Sequence, residues 1–129
     1  MKSMRGSRFT HLSKGLVRTR GTMNKTEAKY ADELRVRQMA GEIADFWFEP
    51  FSLRLSAPDK GQPARYTPDF MILMPDGTTL VDDVKSGGLD DNAAIVRIKC
   101  AAELFPLWIF RLVTPRRVKD GGGFEVREV

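Results

Sequence analysis

The chain reads as an α/β protein with a mixed sheet, on three observations. Two stretches with helical periodicity bracket a strand-rich middle, and a tight-turn signal at Pro75-Asp76-Gly77 separates two short β-rich runs. Residues 107–113 are apolar on both faces, as a covered sheet strand must be. The element order is helix, strand, strand, strand, helix, strand (αβββαβ). The first three strands form a meander, and the second helix is a crossover between parallel strands, right-handed by the usual rule.

Each element follows from local chemistry. Residues 1–22 are rich in Ser, Thr, Gly, Arg and Lys and predict a flexible basic arm ahead of a single domain at residues 23–129. A helix starts near Asn24 and ends before Gly41, with Ala31 and Leu34 on its apolar stripe and Glu27 in line with them. Residues 46–56 are strand-like and alternate strictly from Phe51 to Ser56, with Pro50 at a bulge or a strand start. Residues 57–65 hold two prolines and a glycine and read as a loop.

The hairpin comes next. If Pro75-Asp76-Gly77 is a three-residue loop with Gly77 at positive φ, Met74 pairs with Thr78. Ser86-Gly87-Gly88 then breaks the second strand. Asp90 or Asp91 caps a second helix running to about Phe105, with Ala94, Ile98, Ala101 and Phe105 as its stripe. Pro115 ends the following strand. Arg116, Arg117 and Lys119 form a basic turn, and residues 124–129 alternate like an edge strand.

Composition removes several function classes. The chain has 129 residues, 42% hydrophobic and 29% charged, an ordinary globular balance. No apolar run is long enough to span a membrane, and the basic N-terminus lacks the apolar segment of a secretory signal. Cys100 is the only cysteine, so neither an internal disulfide nor a zinc cluster is expected, in keeping with a cytoplasmic protein. His11 is the only histidine and lies in the arm, which argues against a histidine base. The formal net charge of +4 is uneven. Lys2, Arg5, Arg8, Lys14, Arg18 and Arg20 stand in the first 20 residues with no acid, so the remaining chain is slightly acidic. Such an arm suits an anionic polymer.

The chemistry concentrates around the hairpin. Counting back along the ladder from Met74 and Thr78 sets Asp69 opposite Asp83, and the period of two brings Lys85 to the same face. Two acids at close quarters repel unless a cation lies between them. A hard oxygen site for Mg²⁺ beside a lysine is chemistry aimed at phosphate. Asp82 falls on the opposite face with Leu80 and Val84 and reads as structural or solvent-facing, so its loss should leave most activity. A slip of one residue would exchange the two aspartates. Glu27 has two open readings: aimed at the sheet with its stripe, or closing a capping box with Asn24. Glu49 is within reach from the first strand.

Pro68-Asp69 followed by Asp83-Val84-Lys85, preceded by Glu27 on a helix, resembles the PD-(D/E)XK nuclease superfamily. The element order also resembles that superfamily's restriction-endonuclease-like core. Lys25-Thr26-Glu27-Ala28 and the run from Val81 to Gly87 look like small phage-type endonucleases and Holliday junction resolvase-like proteins. The likeness spans roughly residues 24–113. It implies metal-dependent hydrolysis of DNA phosphodiesters, including branched DNA, by a protein of phage origin in the host cytoplasm. Mg²⁺ or Mn²⁺ would be held by Asp69, Asp83 and the Val84 carbonyl, assisted by Glu27, with Lys85 orienting or deprotonating water. A junction has two strands to cut, which calls for a homodimer with two sites. Lys99, Arg97, Arg116 and Arg117, together with the arm, are candidates for DNA contacts. The competing expectation is a nuclease-fold protein that binds nucleic acid, or regulates a partner, without cutting.

Overall fold

The protein is seen in a computed structural model that describes residues 21–56, 61–85 and 92–129. The basic residues of the arm, Lys2, Arg5, Arg8, Lys14, Arg18 and Arg20, lie outside the described residues, as do His11, Gly87, Asp90 and Asp91.

Helix α1 (Lys25–Met39) starts at Asn24, whose side chain accepts from the Glu27 amide at 2.8 Å. Glu27 Oε1 reciprocates by accepting from the Asn24 amide at 2.9 Å, which closes a capping box. The stripe is real: Tyr30, Ala31 and Leu34 are buried. Strands β1 (Asp45–Phe48), β4 (Phe70–Leu73), β5 (Thr79–Val84), β6 (Ile109–Pro115) and β7 (Phe124–Glu128) form one sheet in the order β1-β4-β5-β6-β7. Only β5 and β6 are parallel; the other pairs are antiparallel. Helix α2 (Asn92–Leu104) makes the connection between that parallel pair.

The two faces of β5 point into different cores. Leu80 and Val84 join Tyr30, Ala31 and Leu34 of α1, while Val81 joins Ile98 and Ala101 of α2. Alternation with period two therefore gives three layers, with a helix on each face of the sheet. As the middle strand β5 is covered on both sides, and all of Leu80, Val81, Asp82, Asp83 and Val84 are buried.

Three expectations need correction. The segment 46–56 is not one strand: β1 pairs with β4, whereas β2 (Leu53–Arg54) leaves to form a separate ribbon with β3 (Arg65–Tyr66). Glu49 causes the break, because its φ of 46° is incompatible with extended chain. The meander is thus β1-β4-β5, with the ribbon inserted between its first two strands. The strand after α2 begins at Ile109 and includes Pro115, and Leu107 is 91% exposed rather than in the sheet.

The hairpin has the expected loop. The Met74 amide donates to the Thr78 carbonyl at 2.8 Å, Gly77 donates to the Met74 carbonyl at 2.9 Å, and Gly77 has φ of 92°. Asp76 accepts from the Thr78 amide at 2.9 Å, which holds its carboxyl below the usual range. The ladder then runs Leu73↔Thr79, Ile72↔Leu80, Met71↔Val81 and Phe70↔Asp82. Among the described residues no helix is long and apolar enough to cross a membrane.

Candidate active site

The site lies where the β4–β5 ladder ends, and Pro68 is the reason it ends there. A proline has no N–H for the neighbouring strand. The buried Pro68 therefore brings no donor to β5. The Asp69 amide donates to the Asp82 carbonyl at 3.1 Å, so the chain bends at Asp69 instead of continuing the straight register. Its carboxylate replaces the missing backbone partner: Asp69 Oδ2 accepts from the Val84 amide at 2.7 Å. The side chain is thereby pinned across the end of β5, next to Asp83.

Asp83 is 6% exposed and points to the face shared with Val81. Its Oδ1 accepts from the Tyr66 hydroxyl at 3.2 Å, and its Oδ2 lies 3.0 Å from Lys85 Nζ. That Oδ2 is buried and accepts no hydrogen bond of good geometry among the described residues, so the ammonium is its one partner there. Burial pushes the Asp69 carboxyl up to about 7; the Asp83 charge and the Glu27 carboxyl add to the rise, and the Val84 N–H works against it. Burial and the Asp83 charge likewise push the Tyr66 phenol far up, so it remains a hydrogen-bond donor to Asp83.

Of the two readings of Glu27, the capping box is seen directly in its hydrogen bonds. Its carboxyl is also near enough to Asp69 to add to the rise in that group's pKa. Glu27, Asp69, Asp83 and Lys85 are therefore brought together from α1, the entrance of β4 and the end of β5. Glu49 is turned elsewhere, with its Oε1 accepting from the Gly21 amide at 3.1 Å.

Asp82 has no share in the site, but it is no surface residue either. It is fully buried and held in a fork by Arg111, with Nε to Oδ1 and Nη2 to Oδ2 both at 2.8 Å. The Tyr30 hydroxyl donates to the same Oδ2. Burial alone would lower the Arg111 guanidinium, yet its bonds to Asp82 and Tyr30 prevail and raise it. The triad ties α1, β5 and β6 together one turn from Glu27. The sequence contained a clue, because a charged Arg111 inside an apolar strand needs a buried partner. The register of β6 then places Arg111 beside Asp82.

An open cleft of about 370 Å³ adjoins the acids. Arg65, Tyr66 and Thr67 line one side, Asp83 and Lys85 the floor, and Ala94 and Arg97 of α2 the other side. Sequence reasoning missed Tyr66 and Arg65, which reach the site only because β3 folds back over α2. The other basic candidates stand apart. Lys99 is exposed on α2 and borders a different hollow with Arg127 and Val129. Arg116 is bonded to the Gly122 carbonyl and Arg117 to Asp120.

The donor set suits a small hard cation. Among the described residues no group of three or more His, Cys, Asp or Glu side chains closes into a metal cage. Mg²⁺ does not need one, since it keeps several waters and takes one or two carboxylates together with substrate phosphate. Asp83 Oδ2, buried with the Lys85 ammonium as its one neighbour of opposite charge among the described residues, and Asp69 beside it are the two carboxylates available for such an ion.

An α/β/α protein with a carboxylate pair and a lysine at the end of its central strands is the class this geometry defines. The chain belongs to a family described as a protein of unknown function, DUF1064, whose profile matches residues 17–112. The matched span holds every residue of the site and the Tyr30–Asp82–Arg111 triad, and it ends before β7. No curated protein and no solved structure matches the chain.

Proposed function

We propose that the protein is a metal-dependent endonuclease of the PD-(D/E)XK type, built on a restriction-endonuclease-like core and hydrolysing DNA phosphodiesters. The observation that carries this reading is the close approach of Asp69 to Asp83, which itself lies 3.0 Å from Lys85 Nζ, with the Glu27 carboxyl near enough to Asp69 to raise its pKa. Like charges buried side by side are costly, and a cation bound between them would offset that cost at neutral pH.

Asp69 and Asp83, with the Val84 carbonyl, would hold Mg²⁺ or Mn²⁺. When bound, the ion polarises a phosphoryl oxygen and lowers the pKa of its water. The protein's own groups do the rest. Asp69, whose carboxyl is poised near neutrality, would release its proton to solvent on taking up such an ion. Tyr66 fixes the Asp83 rotamer through its hydroxyl. Glu27, anchored by its bond to the Asn24 amide, would assist directly or through water. Lys85, three-quarters buried, exchanges its bond to Asp83 for the attacking water or a phosphoryl oxygen, and so offsets charge that develops in the transition state.

A branched DNA substrate and a C₂ homodimer belong to this reading as its more specific form, within a host cytoplasm. The test is incubation with linear, single-stranded, flapped and four-way DNA, with Mg²⁺ or Mn²⁺ and with chelator. Cleavage in metal and none in chelator supports the proposal. No cleavage of any DNA, with binding intact, leaves the non-cutting nucleic-acid binder.

A further inference from the structure

We infer that the cleft between β3 and α2 is a phosphate clamp, in which Arg65 and Arg97 grip the substrate backbone next to the phosphate at Asp69, Asp83 and Lys85. This deepens the nuclease reading and rests on it for the identity of the polymer.

Three observations converge. First, the cleft opens onto the site, because Asp83 and Lys85 line it. Those two neutralise one another as an ion pair, so the guanidinium groups of Arg65 and Arg97 set the sign of the remaining wall. Second, these arginines differ from most others in the fold. Arg35, Arg37, Arg111 and Arg117 are each paired with a carboxylate at 2.7–3.1 Å. Among the described residues Arg65 and Arg97 have no carboxylate partner and make no side-chain hydrogen bond, although both are exposed at the cleft. An unpaired planar fork is suited to two-point binding of a phosphate.

Third, the ribbon places like charges together. Arg54 of β2 is directly opposite Arg65 of β3, and both are exposed. Directly opposed like charges weaken a two-stranded pair. The ribbon is only two residues long on each side, and Leu53 and Tyr66 anchor its other face in the core, so the two arginines are held side by side on its exposed face. A polyanion lying along it would relieve that repulsion. A chain of phosphates fits better than a single anion, because the positive groups extend from Arg97 across the cleft to Arg65 and on to Arg54.

The test measures binding in chelator, where nothing is cut, by fluorescence anisotropy of labelled single-stranded and duplex oligonucleotides over a range of salt. Arg65→Ala and Arg97→Ala should each weaken the full-length protein about eight-fold at 0.1 M salt and reduce the salt slope by about 0.7–0.9. Arg65→Lys and Arg97→Lys should recover part of the affinity, since charge remains while the fork is lost. Arg35→Ala, on an exposed pair with Asp32, serves as the unaffected control. Circular dichroism checks that each variant is folded. Unchanged affinity and slope in both folded alanine variants overturns the clamp, whether or not the wild-type protein cuts DNA in metal. Lower slopes in a protein that cuts no DNA leave the clamp standing and remove the nuclease reading instead.

Discussion

Replacing Asp69 by asparagine should stabilise the metal-free protein while abolishing its activity. Asp69 is pushed from 3.8 to about 7, chiefly by burial and the Asp83 charge. A carboxyl whose folded pKa is raised binds its proton more tightly when folded. Its contribution to stability is complete below about pH 4 and is lost as pH rises through 7. A rise of that size corresponds to roughly 4 kcal/mol lost between pH 4 and pH 8. The substituted asparagine would carry no charge, and its oxygen can still accept from the Val84 amide, which lies 2.7 Å from Asp69 Oδ2 in the native chain. Its amide N–H can donate to Glu27. At pH 8 in chelator, Asp69→Asn should therefore gain about 2–4 kcal/mol in urea unfolding, and its stability should change far less between pH 4 and 8. Saturating Mg²⁺ should restore wild-type stability by about 2.7 kcal/mol at a hundred times Kd, and should do little for the variant. A folded Asp69→Asn protein that is less stable than wild type at pH 8, or that keeps the wild-type pH slope, refutes the repulsion on which the site rests.

Other outcomes follow from the same geometry. Lys85→Ala and Lys85→Arg should each lower turnover by at least about a hundred-fold and leave DNA affinity within a few-fold of wild type, read by single-turnover cleavage and anisotropy; normal turnover by Lys85→Arg would rule out proton handling. Arg111→Ala should cost about 3–5 kcal/mol in denaturant unfolding, because it leaves the buried Asp82 without its cation and with only the Tyr30 hydroxyl as a partner among the described residues. For the same reason Asp82→Ala should unfold the protein easily, and a stable, active Asp82→Ala variant would contradict the buried triad. Tyr66→Phe should lose about 1 kcal/mol of stability and reduce cleavage, as Asp83 loses its hydroxyl donor. Removing residues 1–20 should flatten the salt dependence of DNA binding by about 0.9 for each phosphate that the arm neutralises, and an unchanged slope would show that the arm stays off the DNA.

Local chemistry was enough to read the hairpin from sequence. Gly77 alone can take the positive φ of its loop, and once Met74 pairs with Thr78 the period of two separates Asp82 from Asp83. The helix cap at Asn24 and the stripe of Ala31 and Leu34 were legible for the same reason: they depend on neighbours within one or two turns, whereas the burial of Tyr30 against Asp82 was not. What the chain could not disclose involves long separations. Whether Glu27 capped or reached the acids had no local answer, because its second contact, with Asp69, depends on how α1 packs across the sheet. Asp82 looked dispensable because its partner Arg111 lies 29 residues away and becomes a neighbour only through the parallel register of β5 and β6. Tyr66, Arg65 and Arg97 meet in one cleft because the positive φ at Glu49 diverts the chain into a ribbon that closes over α2. Sequence by itself determined which residues bear the charge and which face of a strand they take, since backbone geometry sets that within a few residues. Only the tertiary structure decided which charges are buried together, and burial beside Asp83 is what raises the Asp69 carboxyl to about 7.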